Sequence, residues 1–491
     1  MKWLKKGPQE TSGEARRRGS SFQTRAFKSG GYTILVSLIL VAAVIAVNLF
    51  VGQIPSIYTK FDTTGQQLFT LSQQTTDVLQ NLKTDVTLYL VAQSGQEDKT
   101  ISEMLSRYKA LSDKITVTDV DPVTSPNFTK EFTSDTLDGN SVIVKSELRS
   151  QVIKNSEIYV EDYSNYYYNG SVDTSFDGEN ALTSAIDYVT SETLPVVYAL
   201  SGHGETELSG DLSSAVKKEN MTLKSLSLLS LDAVPEDADC LLIYAPTSDL
   251  SQDEADMILK YLENGGHMLL LTDYGQKEMP VLAKLMENYG VQAVNGLVVE
   301  GNSNNSLRNY SHYLLPNIQS HEITTPLVTG KLYALMPIAH GIKVLDSYRS
   351  TLTITSLLKT SDSAYAKPNV TNGSTLEKES GDIAGPFDIG VAITENYDDK
   401  QTKIVWFSTS QFLDSSIDQM VSGANQDLFL NSLGFMCERA NSISIRSKSL
   451  MSQRLTVPSS AAGLMGALIT IILPLVVIGI GIFVFVKRRK R

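Results

Sequence analysis

The stretch Val196-Val197-Tyr198-Ala199-Leu200-Ser201-Gly202-His203-Gly204-Glu205 decides the fold. Five apolar-rich residues with no polar alternation read as a strand covered on both faces, and the glycine-punctuated loop ends it. Leu208, Leu212, Ala215 and Val216 then recur at helical spacing, and 223–229 reads as the next strand. Cys240–Tyr244 is a third strand, followed by a helix presenting Ala255, Ile258, Leu259 and Leu262. That helix opens on Ser251-Gln252-Asp253-Glu254, a capping box, and closes on Asn264-Gly265-Gly266. The strand 267–272 ends at Asp273, and Leu282, Leu285, Met286 and Tyr289 mark another helix. Repeated β-α-β units with apolar strands predict a parallel sheet with helices on both faces. Beyond 301 the pattern weakens. The segments 302–309 and 361–385 read as exposed loops, 389–394 and 403–408 as strands, and 426–437 as a helix. These are expected to complete the same sheet, giving one α/β domain over 178–440.

Upstream lies a smaller unit, expected over 65–162. Ser72 caps a helix carrying Val78, Leu79 and Leu82, and Val86–Val91 reads as a strand. Ile101, Met104, Leu105, Tyr108 and Leu111 mark a helix, and Ile115–Val120 a second strand, so this is a βαβ crossover. Two further strands, 141–145 and 157–160, are expected to be antiparallel. The size is thioredoxin-like, but no Cys-x-x-Cys is present, which excludes thiol redox catalysis there.

Both ends carry long apolar runs. Ile34–Val51 spans 18 residues with only Ser37 and Asn48 polar, and Ala461–Val486 spans 26 without a charge. Each predicts a transmembrane helix, over 32–51 and 461–486. A cleaved signal peptide is the alternative for the first, against which stand its long leader and the lack of a small-x-small site in Gly52-Gln53-Ile54-Pro55. The leader 1–31 holds Lys2, Lys5, Lys6, Arg16, Arg17, Arg18, Arg25 and Lys28, and 487–491 is Lys487-Arg488-Arg489-Lys490-Arg491. The positive-inside rule then predicts a two-pass protein of the cell membrane, with cytoplasmic tails 1–31 and 487–491, an extracytoplasmic middle, and a linker over 441–460. With the tails set aside from a net charge of −12, the middle carries roughly −23, which disfavours nucleic acid as a partner.

Two cysteines, Cys240 and Cys437, allow at most one bridge and no cysteine-based zinc site. No cofactor is implied, and the absence of Gly-x-x-x-x-Gly-Lys-Ser/Thr means that this chain is not itself an ATPase.

In open parallel sheets, ligands bind beyond the carboxyl ends of the strands. Ser201, His203 and Glu205 follow one strand there and Asp273 another. Three chemistries compete for these four residues. A hydrolase would use His203 to activate Ser201, with a carboxylate orienting the imidazole; against it, a Ser-x-His loop rarely aims both side chains at one proton. A metal would use His203, Glu205 and Asp273, yet His267, His312, His321 and His340 show no paired spacing. The structural reading has Gly202 and Gly204 turn the chain, Glu205 complement a helix N-terminus, and His203 bond a neighbouring loop. The expectation is no catalytic and no metal site, with Ser201, His203, Glu205 and Asp273 lining a ligand or partner cleft.

Four segments resemble a known family, the GldG-type auxiliary proteins of ABC transporters. They are Phe69-Thr70-Leu71-Ser72; Tyr198 through Glu205; Val234-Pro235-Glu236-Asp237-Ala238-Asp239, continuing through Ala245-Pro246 to Gly266; and Asn425-Gln426-Asp427-Leu428-Phe429-Leu430-Asn431-Ser432-Leu433-Gly434. The resemblance implies a thioredoxin-like part and a class-I glutamine-amidotransferase-like part. It further implies a non-enzymatic auxiliary subunit that accompanies a permease and an ATPase and binds cargo or envelope partners. A membrane-anchored amidase or hydrolase and a purely structural envelope protein are the competing readings.

Overall fold

The computed structural model describes residues 25–53, 62, 67–162, 172–368, 370, 375–397, 400–437, 445–450, 470–471 and 473–489. The chain divides into two compact units, Met1–Asp62 and Thr63–Arg491. The basic segment 1–24, most of the 441–460 linker, and 461–469 of the second apolar run lie outside the described residues.

The two-pass topology is corrected: among the described residues, no helix is long and apolar enough to cross a membrane. The first unit's helix, α1 (Arg25–Gln53), is 29 residues long and carries basic residues and glycines in its first turns. The carboxyl-terminal helix is Leu473–Arg489, 17 residues ending in the basic Lys487-Arg488-Arg489. The cell-membrane localisation with an extracytoplasmic middle, which rested on these spans, is corrected with them.

The second unit opens on α2 (Gln73–Gln80), where Ser72 Oγ accepts the Thr75 N–H at 3.2 Å. β1 (Val86–Val91), α3 (Lys99–Leu111) and β2 (Ile115–Val120) form the crossover, with β1 and β2 parallel from Val86↔Ile115 to Val91↔Val120. β3 (Ser141–Lys145) and β4 (Ser150–Ile153) add antiparallel, giving the order β2-β1-β3-β4. The expected strand over 157–160 is instead a helical turn followed by β5 (Tyr159–Asp162), which pairs with β6 (Asp173–Phe176). The Glu157 carboxylate accepts the Lys154 N–H at 2.7 Å, which caps that turn and breaks the extended run.

The helix α4 (Gly178–Thr190) packs Leu182, Ala185, Ile186 and Val189 into this small core. Its Glu179 explains the Phe69–Ser72 segment. Buried Glu179 accepts the Ser72 N–H at 2.6 Å, the Thr75 hydroxyl at 2.8 Å and Lys448 Nζ at 2.8 Å. Lys448 also donates to the Thr70 carbonyl, and Arg107 to that of Phe69. Residues 72–75 and Lys448 are thereby stapled through one carboxylate.

β7 (Val196–Leu200), α5 (Gly210–Lys218), β8 (Thr222–Leu226), β9 (Cys240–Tyr244), α6 (Gln252–Glu263), β10 (His267–Leu271) and α7 (Pro280–Asn288) follow in β-α alternation. β11 (Val291–Val299), β12 (His340–Val344), β13 (Leu352–Lys359), β14 (Tyr365–Lys367), β15 (Asp388–Tyr397), β16 (Lys400–Phe407) and α8 (Ala424–Met436) complete the domain. Together with the short strands Asn317–Ile318 and Ile383–Ala384 they build a sheet of twelve strands. Its parallel core runs β8-β7-β9-β10-β16, and beyond β16 come β15, β12, β11 and β14, each antiparallel to its neighbour. Helices cover both faces of the parallel core: Leu212, Val216, Leu428, Phe429 and Leu433 pack on one, and Ile258, Leu262, Leu282 and Met286 on the other. One expected loop is different. Within 361–385, Tyr365–Lys367 is buried as β14, because Lys367 Nζ donates to the Glu377 carbonyl and to Glu379 and Asp382, so the polar residues satisfy one another.

Candidate functional site

The loop after β7 places His203 and Glu205 together and turns Ser201 away. Gly202 (φ 126°) and Gly204 (φ 73°) both take backbone conformations costly for other residues, and a Cβ on Gly204 would lie 2.1 Å from Thr247 Oγ1. The His203 carbonyl accepts the N–H groups of Thr247 and Ser248, both at 3.0 Å, which binds this loop to the one after β9.

The His203 ring, 5% exposed, lies between two carboxylates. Nδ1 is 2.9 Å from Glu205 Oε1 and Nε2 is 3.1 Å from Glu254 Oε2. Burial works to lower the imidazole pKa, but the hydrogen bonds and charges of Glu205 and Glu254 outweigh it, and the net shift is upward. Burial likewise works to raise Glu254; its bonds from Ser251 and His203 prevail and hold it low. Glu254 occupies the third position of α6, where it also accepts the Ser251 N–H at 3.0 Å and hydroxyl at 2.7 Å. One side chain therefore caps α6 and anchors the β7 loop. With both nitrogens donating to carboxylates, His203 has no lone pair left to take a proton from a nucleophile.

Ser201 is engaged elsewhere. Its hydroxyl donates to the Leu226 carbonyl at 3.0 Å and receives the Ser225 hydroxyl at 3.3 Å. Asp273 also stands apart from the histidine: Oδ1 accepts the Ser410 N–H at 2.6 Å and Oδ2 the Ser410 hydroxyl at 2.8 Å. Of the four expected cleft residues, the fold joins only His203 and Glu205, and it supplies Glu254 as the third member. The expected ligand set of His203, Glu205 and Asp273 is not assembled, and no group of three or more such residues able to hold a metal occurs among the described residues.

Asp273 lines a different feature, a cleft of about 480 Å³ beyond the carboxyl end of β10, between α7 and β11. At its base the Trp406 indole N–H donates to Thr272 Oγ1 at 2.8 Å, and Thr272 Oγ1 lies 2.8 Å from His340 Nε2. His340 Nδ1 is 2.9 Å from the Gly341 carbonyl. A carbonyl only accepts, so the proton sits on Nδ1, Nε2 accepts from Thr272, and the chain Trp406–Thr272–His340–Gly341 is fully satisfied. Burial holds the His340 pKa down, against smaller upward pulls from Gly341 and Asp273. Sequence reasoning missed Glu254, Thr272, His340 and Trp406; the signal for Glu254 was present as a capping box, while the other three are ordinary strand-end residues in sequence.

The family model ABC_transp_aux, described as an ABC-type uncharacterized transport system, matches residues 194–436, the large domain. A domain of unknown function, DUF7088, matches 65–160, the small one. No curated protein matches the chain. Among solved structures, the mmIFT52 N-terminal domain aligns at 13% identity and a TM-score of 0.35, covering 49% of this chain and 97% of its own. A putative GMP synthase protein from Thermoplasma acidophilum aligns at 11% and 0.27, covering 52% and 98%. PurLQS from Thermotoga maritima aligns at 12% and 0.26, covering 50% and 100%. At those TM-scores the likenesses carry no argument, so the amidotransferase-like architecture stays an expectation of the resemblance. The match over the large domain supports an auxiliary, ABC-transport-associated protein.

Proposed function

We propose that this protein is a non-catalytic accessory component of an ABC transport system, which associates with a permease and an ATPase and uses its large α/β domain to bind cargo or a partner. The observation that supports a binding rather than a hydrolytic role is the His203 ring with both nitrogens committed to carboxylates. A histidine so held is a cross-link between the β7 loop and the start of α6, and a hydrolase needs a base with a free lone pair beside its nucleophile. The cleft at Asp273 supplies a concave site in the position where open α/β sheets bind ligands.

The test is affinity purification of the tagged full-length protein in detergent that keeps permeases soluble, with partners identified by mass spectrometry. Recovery of a nucleotide-binding subunit together with a multi-span permease is the expected result. Repeated recovery of the intact protein alone overturns the accessory role. A hydrolytic activity abolished by His203→Ala in a protein that remains folded overturns the non-catalytic reading.

A further inference from the structure

The Asp273 carboxylate has an unusual position. It is half-buried in the cleft beyond β10, and among the described residues no lysine or arginine forms an ion pair with it. Each oxygen takes one bond from Ser410, which fixes the carboxylate and leaves further lone pairs for a donor in the cleft. The nearby imidazole cannot supply the countercharge: Thr272 and Gly341 occupy both its nitrogens, and burial favours its neutral form. At the mouth, exposed Lys277 and Glu278 offset each other in charge. The wall also carries an aromatic and aliphatic side, Trp406 and Tyr274 beside Leu282, Met286 and Val294, with Gln276 and Asn295 as polar lining.

We infer that this cleft binds an amphipathic primary amine, whose ammonium group bonds Asp273 while its apolar body lies against Trp406, Leu282 and Met286. This rests on the reading of the large domain as a binding module, and it adds the chemistry of the ligand. An ammonium group satisfies the unpaired carboxylate through a charge-assisted hydrogen bond, and ring faces favour a cation beside them. The apolar body gains by leaving water, and the flexible Met286 side chain adapts to its shape. The cleft volume lies within the range of small-molecule sites.

The chain contains two tryptophans, Trp3 and Trp406, so Trp3→Phe leaves the cleft residue as the sole tryptophan, excited selectively at the red edge of its absorption. In that background, 4-phenylbutylamine, 4-phenylbutanol and 4-phenylbutyrate, which share a body and differ at the head group, are titrated against Trp406 fluorescence at pH 7. The amine is expected to give a saturable change, with the alcohol and the carboxylate binding roughly tenfold more weakly or worse. Asp273→Asn should weaken the amine by a similar factor and leave the alcohol within about twofold. If loss of the Ser410 bond unfolds that variant, Ala283→Phe decides, since it fills the cleft from an exposed position on α7 and should weaken the amine about as much. Equal binding of the three probes, no saturable response to the amine, or an amine affinity unchanged in both variants overturns the inference. Co-purification with the transporter is read separately, so a failed titration leaves the accessory role standing, and a failed purification leaves the cleft chemistry standing.

Discussion

Replacing Asp177 with asparagine should stabilise the protein at neutral pH and have little effect in acid. Asp177 is 7% exposed at the start of α4. Its partners are weak: Asn180 Nδ2 at 3.4 Å and Lys218 Nζ at 3.8 Å, the lysine side chain being more than half exposed. Burial pushes the carboxyl pKa up from 3.8 to about 6, with Lys218 and then Asn180 opposing the rise. The folded value lies above the unfolded one, so the unfolded state releases its proton first as pH rises. Below about pH 4 both states are protonated and no penalty exists; between about 4 and 6 the native state loses stability; above 6 the whole loss is present. A shift of about two pH units corresponds to about 3 kcal/mol as a ceiling. The asparagine side chain does not titrate, so Asp177→Asn should gain up to that amount at pH 8 and close to nothing at pH 3.5. Urea unfolding of the full-length protein, followed by circular dichroism across pH 3.5–8, measures the difference between the two chains. A variant less stable than the parent at pH 8 would refute the reasoning, because it would mean that the Lys218 pair and not the burial penalty dominates. A Lys218→Met change sharpens the comparison: it should destabilise the parent and leave the Asp177→Asn chain almost unchanged.

Other consequences are open to the same measurement. His203→Ala leaves Glu205 and Glu254 buried without their shared cation, and a loss of about 3–5 kcal/mol is expected at pH 6 in the denaturant midpoint. Because the His203 pKa is raised on folding, its contribution is complete below the unfolded value near 6.5 and is lost as pH climbs through the folded one, so the gap between parent and variant should narrow in alkali. Asn425 in α8 accepts the Leu335 N–H and donates to the carbonyls of Leu335 and Phe412, all fully buried; Asn425→Ala should cost about 3 kcal/mol, and Asn425→Asp should not restore it, since a carboxylate cannot donate. Tyr108→Phe removes a buried hydroxyl bonded to the Glu179 carbonyl at 3.0 Å and to Thr183 Oγ1 at 2.6 Å, and should lower the unfolding free energy by about 1–2 kcal/mol with unchanged denaturant dependence.

What could be read in the sequence, and what could not, divides by the distance over which the relevant bonds act. The capping box at Ser251 and Glu254 and the N-cap at Ser72 join residues three apart, so the local pattern alone announces them. The alternation from β7 to α7 is legible for a similar reason, since burial of each strand and one face of each helix imposes a short-range period. The second bond of Glu254, to His203, crosses 51 residues, and the bond of Asp273 to Ser410 crosses 137. No local pattern encodes either, and so four residues that share the carboxyl edge of a sheet in sequence order are sorted by the fold into three separate places, with only His203 and Glu205 kept together. β4 escaped notice because Ser150 and Gln151 lack apolar alternation; its place is fixed by pairing with Val144 and Lys145 of β3. β14 was hidden by polar neighbours whose charges close on Lys367 from 10 to 15 residues away. In each case the residue types were visible but their partners were not, and for a polar side chain the partner determines the role. His203, paired with a serine, would be a base; paired with two carboxylates, it is a clamp. That distinction rests on Glu254, a residue whose local pattern already had a sufficient explanation as a helix cap.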